Sequence, residues 1–162
     1  MKENFSKAID FTLNWETGFG KMIYSNNPKD PGGETKWGIS KKSFPELDIR
    51  NLTREQAEKI YKSRYWDHLD CDNLPNYIDV VVFDIAVNQG PSVARKSLAR
   101  LKDFAKYIVP DGKLGALFLI IESIDYYDDL SIFVNFGRGW IKRRVSLAKY
   151  IFADYEFMVY DD

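Results

Sequence analysis

Glu16, in the stretch LNWETGFGK, is followed fourteen residues later by the block DPGGETKWGIS at 30 to 40, which gathers Asp30, Glu34, Thr35 and Trp37 into one short span. An acid, a turn-rich loop, a second acid and an aromatic suit a saccharide hydrolase. Such enzymes use one carboxylic acid to protonate the leaving oxygen and a second carboxylate as nucleophile or as base for water. The two carboxyls lie about 5–5.5 Å apart when configuration is retained and roughly 6.5–9.5 Å apart when it is inverted. In this reading Glu16 is the acid. Asp30 is the first choice for the second group, because the loop returns past the helix end. Glu34 is its rival, and Asp30 beside Pro31 is equally well explained as a turn former. Trp37 or Tyr24 offers an apolar face to a sugar ring.

The position of the acid depends on the helix that carries it. Phe5, Ile9 and Leu13 recur at a helical interval between Asn4 and Glu16, which predicts an amphipathic helix with one buried stripe. Gly18 supplies its left-handed stop. At about 100° per residue Glu16 falls within roughly 20° of Phe5 and continues that stripe. Burial and the negative end of the helix dipole both disfavour a carboxylate, so both are expected to raise its pKa, the condition for a general acid at neutral pH. The structural alternative is a surface acid on a frayed last turn, or one paired with Lys21 or with an arginine from another helix. The segment NNPKDPGGETKWG mixes prolines and glycines with polar residues, the chemistry of a loop or a short hairpin near residues 20 to 40.

The remaining elements read as helices, giving a mainly α fold. Thr53 followed by Gln56 is a capping box, so a helix is expected from about Arg54 to Trp66. YIDVVVFDIAVNQG is apolar nearly all round and ends in Gly90, as a central buried helix does, although its valine run also suits a strand. Further helices are expected near Ser92 to Tyr107, Gly115 to Tyr127 and Ile132 to Phe152. Asp84 and Asn88 share one face of the apolar helix and must be satisfied internally or line a cleft, so capping and substrate contact are both open for them. Arg138, Lys142, Arg143 and Arg144 beside Trp140 read first as a solvated basic face. His68 and Cys71 read as local structure.

Composition removes several classes of function. A formal charge of -1 argues against nucleic acid as the main partner. One Cys and one His exclude an internal disulfide and a Cys/His zinc cluster, and no metal or other cofactor is expected. The N-terminus is broken by Lys2, Glu3, Lys7 and Asp10 and lacks an apolar signal-peptide core, so synthesis in the cytoplasm without a standard export signal is expected. The longest apolar run, LGALFLII at 114 to 121, is far short of the roughly 20 residues that span a bilayer. With 11 Phe, 10 Tyr and 4 Trp, aromatics exceed what a minimal core needs, and some are available to stack on a ligand.

Four blocks in order resemble a known family, the bacterial and phage muramidases of glycoside hydrolase family 108, also described as secretion activators. They are ETGF at 16 to 19, where the family usually has EGGY, DPGGETKWGIS at 30 to 40, LTREQAEKIYKSRYW at 52 to 66 and FDIAVNQG at 83 to 90. The resemblance implies a lysozyme-like fold and cleavage of the β-1,4 bond between N-acetylmuramic acid and N-acetylglucosamine in peptidoglycan. It carries the family's catalytic glutamate onto Glu16, and similar acid, acid and threonine sets in phage-type lysozymes give Thr35 the task of holding a water. PDGKLG at 110 to 115 and FGRGWIKRR at 136 to 144 resemble a peptidoglycan-binding segment of the same family. Residues 1–90 are thus expected to form the catalytic region, and 91–162 a helical binding region packed into the same globular unit. Thr17 departs from the family's glycine and Phe19 from its tyrosine. The resemblance makes a phage or prophage endolysin the expectation, a monomer released through a holin to act at the cell wall. The alternatives are a lytic transglycosylase, or an inactive wall-binding or secretion-regulating protein.

Overall fold

The structure, a computed structural model, describes residues 3–21, 23–27, 32–106, 111–128 and 130–154. Six α-helices and one small antiparallel sheet organise the described residues, with a π-helical stretch and two 3-10 turns between the second and third helices: α1 (Asn4–Glu16), β1 (Tyr24–Ser25), β2 (Thr35–Lys36), β3 (Ile39–Ser40), α2 (Arg54–Tyr61), α3 (Ile78–Gln89), α4 (Pro91–Phe104), α5 (Gly112–Asp128) and α6 (Phe133–Phe152). The fold is mainly α with a short sheet inside the expected 20 to 40 region. No described helix is long and apolar enough to cross a membrane.

α3 is the axis of the molecule. Every residue from Ile78 to Ala86 is buried, and the helix packs against α1, α4 and α5. A segment apolar on all faces is stable in water only when other elements cover all of it, which settles its valine run as helix. Phe83 anchors one side, meeting Phe5 and Trp66 edge-on at centroid separations of 5.8 and 5.7 Å. α4 starts directly after Gly90 with Pro91 in its first turn, where the missing N–H costs nothing. α6 lies along α5 and returns to the centre of the fold.

α1 ends in a Schellman motif. Gly18 adopts φ +56°, while its N–H reaches the Trp15 carbonyl at 3.3 Å and the Phe19 N–H reaches that of Asn14 at 2.6 Å. α2 opens on the expected capping box, the Thr53 side chain accepting from Gln56 N and Gln56 accepting from Thr53 N. After Tyr61 the helix widens into a π-helical stretch, Lys62–Trp66, so the expected length is helical but its last turn is not α. Trp66 is fully buried there and donates to Asp72 at 2.8 Å.

Candidate active site

Glu16 is the last residue of α1, and the chain turns away immediately beyond it. Thr17 holds that turn: it is 3% exposed, its hydroxyl donates to the Leu13 carbonyl at 2.7 Å and accepts from Gly20 N at 3.2 Å. The residue that departs from the family pattern therefore braces the loop beside the acid. On the other side stands the β2–β3 hairpin. Its two-residue tip, Trp37 and Gly38, has φ +53° and +77°, the sign pattern of a type I′ turn. A methyl group at Gly38 would sit 2.5 Å from the Tyr61 hydroxyl and 3.2 Å from Glu16 Cβ. The tip is thus pressed against the acid and α2, and Tyr61 donates to the Trp37 carbonyl at 3.0 Å to keep it there.

The charged surroundings of Glu16 differ from the apolar seat expected from the helical wheel. Its side chain is 25% exposed, and Arg143 donates from Nη1 to Oε1 at 2.8 Å. The alternative of an arginine from another helix is the one realised. The wheel located Glu16 on the inward face, but the surface it meets there is a guanidinium delivered by α6. Oε2 has no hydrogen-bond partner among the described residues.

Arg143 is held in turn by Asp84, with Nη2 at 2.7 Å from Oδ1 and Nε at 3.2 Å from the same oxygen. Arg144 bonds the other oxygen of Asp84 through Nη1, and its Nη2 lies 2.9 Å from the Tyr127 hydroxyl. Tyr127 donates to Asn88, and Thr12 donates to Asp84 at 3.2 Å. Burial pushes the Asp84 carboxyl up, but the two guanidiniums outweigh it and hold the group below the ordinary carboxylate range. The same pairing, with Glu16 added, holds Arg143 above its ordinary value against the opposing effect of burial.

Two sequence readings are corrected here. Arg143 and Arg144 are 5% and 0% exposed and form no solvated face; Arg138 and Lys142 alone of that group are exposed. Asp84 is 0% exposed, so it touches no sugar: a carboxylate on an all-buried helix must be neutralised by charges brought from elsewhere. Asn88 remains half-buried at the edge of this network.

Among the hairpin residues, Tyr24 donates to Glu34 Oε1 at 2.7 Å across the sheet, so the rival carboxylate is engaged at the strand pair. Thr35 Oγ1 donates to the Gly33 carbonyl at 3.2 Å. Trp37 is half-buried against the core, and its Nε1 has no acceptor among the described residues. Asp30 lies outside the described residues. A recess opens beside the hairpin tip, walled by Gly38, Ser40, Ser43 and Phe44 on one side and by Tyr61, Arg64 and Tyr65 on the other. Burial raises the phenols of Tyr61 and Tyr65 above their ordinary values, and the nearby charge of Glu16 raises both further. Glu16 does not itself line this recess; it lies behind the wall residue Gly38, its Cβ 3.2 Å from where a methyl group on that glycine would sit. Tyr61 and Gly38 were missed by sequence reasoning, and Arg143 was placed on the wrong side of its helix; the one available signal was Asp84, a charge on an apolar helix that required a cationic partner.

A helical fold with a small sheet, and an acid at the end of its first helix beside a recess, is the arrangement of a lysozyme-like protein. The chain belongs to glycosyl hydrolase family 108, whose model matches residues 9–90. A solved structure, that of SagA from Brucella abortus, is similar over 96% of this chain and 98% of that one, with a TM-score of 0.77 at 24% identity, a likeness of fold. No curated protein matches the chain. The family is one of glycoside hydrolases that act on peptidoglycan, and thus at the cell wall.

Proposed function

We propose that the protein is an N-acetylmuramidase that hydrolyses the β-1,4 bond between N-acetylmuramic acid and N-acetylglucosamine, with Glu16 as general acid. The observation that carries this reading is the placement of Glu16, where the family has its catalytic glutamate, at the end of α1 against the hairpin tip, with one oxygen held by Arg143 and the other unengaged among the described residues. Arg143 orients the carboxyl through Oε1; in this reading Glu16 takes up a proton from solvent before the step and delivers it from Oε2 to the glycosidic oxygen. Protonation of the leaving oxygen makes the departing sugar neutral and lets positive charge build on the ring it leaves. Asp30, helped by Thr35, then directs or activates the water. The Thr35 hydroxyl gives its proton to Gly33 and keeps oxygen lone pairs with which to orient that water. Tyr24, Trp37 and Asn88 are the remaining sugar-contacting candidates. The biological setting in this proposal is lysis by a monomeric phage or prophage endolysin that reaches the wall through a holin.

The test is clearing of purified peptidoglycan by the wild type and by Glu16→Gln, with mass analysis of the soluble products. Gln keeps the size of the side chain and an acceptor for Arg143 but has no proton of the needed acidity. The expected loss of rate is about 10²–10⁴-fold, and the wild-type products carry reducing muramic acid ends. Anhydro ends would make the enzyme a lytic transglycosylase. Retention of both proteins on the wall with no clearing by either would make it a binding protein on a lysozyme fold.

A further inference from the structure

We propose that Arg64 reads the carboxylate carried by the muramyl residue, through its lactyl group or its peptide, and so separates acidic peptidoglycan strands from neutral N-acetylglucosamine polymers. The proposal rests on the glycan-binding reading above and adds the chemical feature that selects the glycan.

Among the described residues, Arg64 is the one charged side chain in the lining of the recess beside the hairpin tip, whose wall residue Gly38 backs onto Glu16; the other polar side chains there are the hydroxyls of Ser40, Ser43, Tyr61 and Tyr65. It also borders a second hollow, formed with Tyr65, His68 and Pro91, so its head group is reachable from two sides. Its side chain is exposed, and no carboxylate among the described residues pairs with it. Arg54, Arg100, Arg143 and Arg144 each have such a partner. The guanidinium instead lies 4.6 Å from the centroid of the Phe44 ring. Stacking on an aromatic face restrains a guanidinium while leaving its in-plane N–H donors and its full charge available.

The backbone supports the same role. Arg64 sits in the π-helical stretch Lys62–Trp66, a widened turn of a kind frequent at functional sites, anchored at its end by fully buried Trp66. A planar, pre-held cation in a recess lined by hydroxyls and aromatic rings matches an N-acetylated sugar that bears an anion. A chitin strand offers the hydroxyls and the apolar face but no anion. A charge-assisted pair of this sort contributes more than a neutral hydrogen bond, and losing it weakens binding by about tenfold or more.

The experiment compares wild type with Arg64→Gln in calorimetric titrations against two non-cleavable, sulfur-linked tetrasaccharides. One alternates N-acetylglucosamine and N-acetylmuramic acid with free lactyl carboxylates; the other is its all-N-acetylglucosamine twin. Binding of the acidic ligand is expected to weaken about tenfold in the variant, the neutral ligand to bind both proteins alike, and the difference to shrink in high salt. Repeating the acidic arm with a short stem peptide on the lactyl group assigns the source: loss only with the peptide present points to a peptide carboxylate, loss with the bare sugar to the lactyl carboxylate. Equal weakening for both tetrasaccharides, no weakening for the acidic forms, or no binding of any of them to the wild type overturns the proposal. Thermal melts of both proteins show whether the fold is kept. Release of reducing ends from peptidoglycan is measured separately, so a protein that binds selectively without turnover refutes the muramidase reading and leaves this one standing.

Discussion

Asp84 neutralises two guanidiniums from consecutive positions of one helix, and through Arg143 it controls the geometry of Glu16. Removing its charge leaves two buried cations with a single, partly exposed counter-ion. Asp84→Asn is therefore expected to cost about 3–5 kcal/mol in urea unfolding, the typical penalty for breaking a buried pair from one side; a cost under about 1 kcal/mol, the scale of exposed pairs, would show that water screens the network. The pH dependence follows from the depressed carboxyl of Asp84. A group whose folded pKa lies below its unfolded value of about 3.9 stabilises the protein above that pH, and the contribution is lost as pH falls through the folded pKa. Wild type is expected to lose this stability on acidification below about pH 4, while Asp84→Asn shows a flatter profile over that range, measured as unfolding free energy against pH. Glu16 was legible as a candidate from its motif and its place at a helix end. Its real neighbour was not, because Arg143 lies 127 positions away and a run of basic residues on a helix ordinarily faces water. The pattern that betrays the pair is the lone aspartate within VVVFDIAV, which has no neutral reason to be there.

At the scale of elements, the hairpin tip is the part that presses on the acid and on α2. Gly38 combines a left-handed backbone with a contact too close for any side chain, and Gly20 provides a control, since it has φ +82° and a methyl placed on it would meet nothing within 4 Å. Gly20→Ala is expected to cost about 1 kcal/mol in stability from backbone strain alone with little change in rate. Gly38→Ala adds a collision with Tyr61 and Glu16, and is expected to lower kcat by about 10²-fold, as an ångström-scale displacement of a catalytic group does. Matched melting temperatures and kcat for the two variants make the comparison; equal effects would mean that the tip does not position the acid. The helices themselves were readable because their signals are local: the Thr53–Gln56 box, the glycine at the end of α1 and the all-apolar α3 each reflect a constraint satisfied within a few residues. The π-helical stretch after Tyr61 was not readable. Its widening carries no propensity signature, and the packing of Trp66 under Phe5 and Phe83 accompanies it only in three dimensions.

For the molecule as a whole, the family model covers residues 9–90, yet two of the charges that organise the candidate site come from α6. α3, which carries Asp84, is covered by α4 and α5 as well as by α1; without them its valines and Phe83 side remain only partly shielded, and Asp84 loses both of its cations. We therefore expect a fragment of residues 1–90 to fail as a folding unit, with the C-terminal helices acting as the closing half of one core. The physical balance is unfavourable on both counts: an all-apolar helix stripped of neighbours exposes surface that costs about 25 cal/mol per Å², and an unpaired buried carboxylate must be protonated or hydrated. Circular dichroism and urea unfolding of the 1–90 fragment are expected to show no cooperative transition, and wall clearing by it to be absent. Adding residues 91–162 in trans is the sharper version. Recovery of a cooperative melt and of activity on mixing would show that the two halves complete a single site through Arg143 and Asp84, and the Asp84→Asn fragment would then fail to be rescued. A 1–90 fragment that folds and clears peptidoglycan unaided would instead make the C-terminal helices an accessory, and the Glu16 to Arg143 ion pair a contact that catalysis does not need.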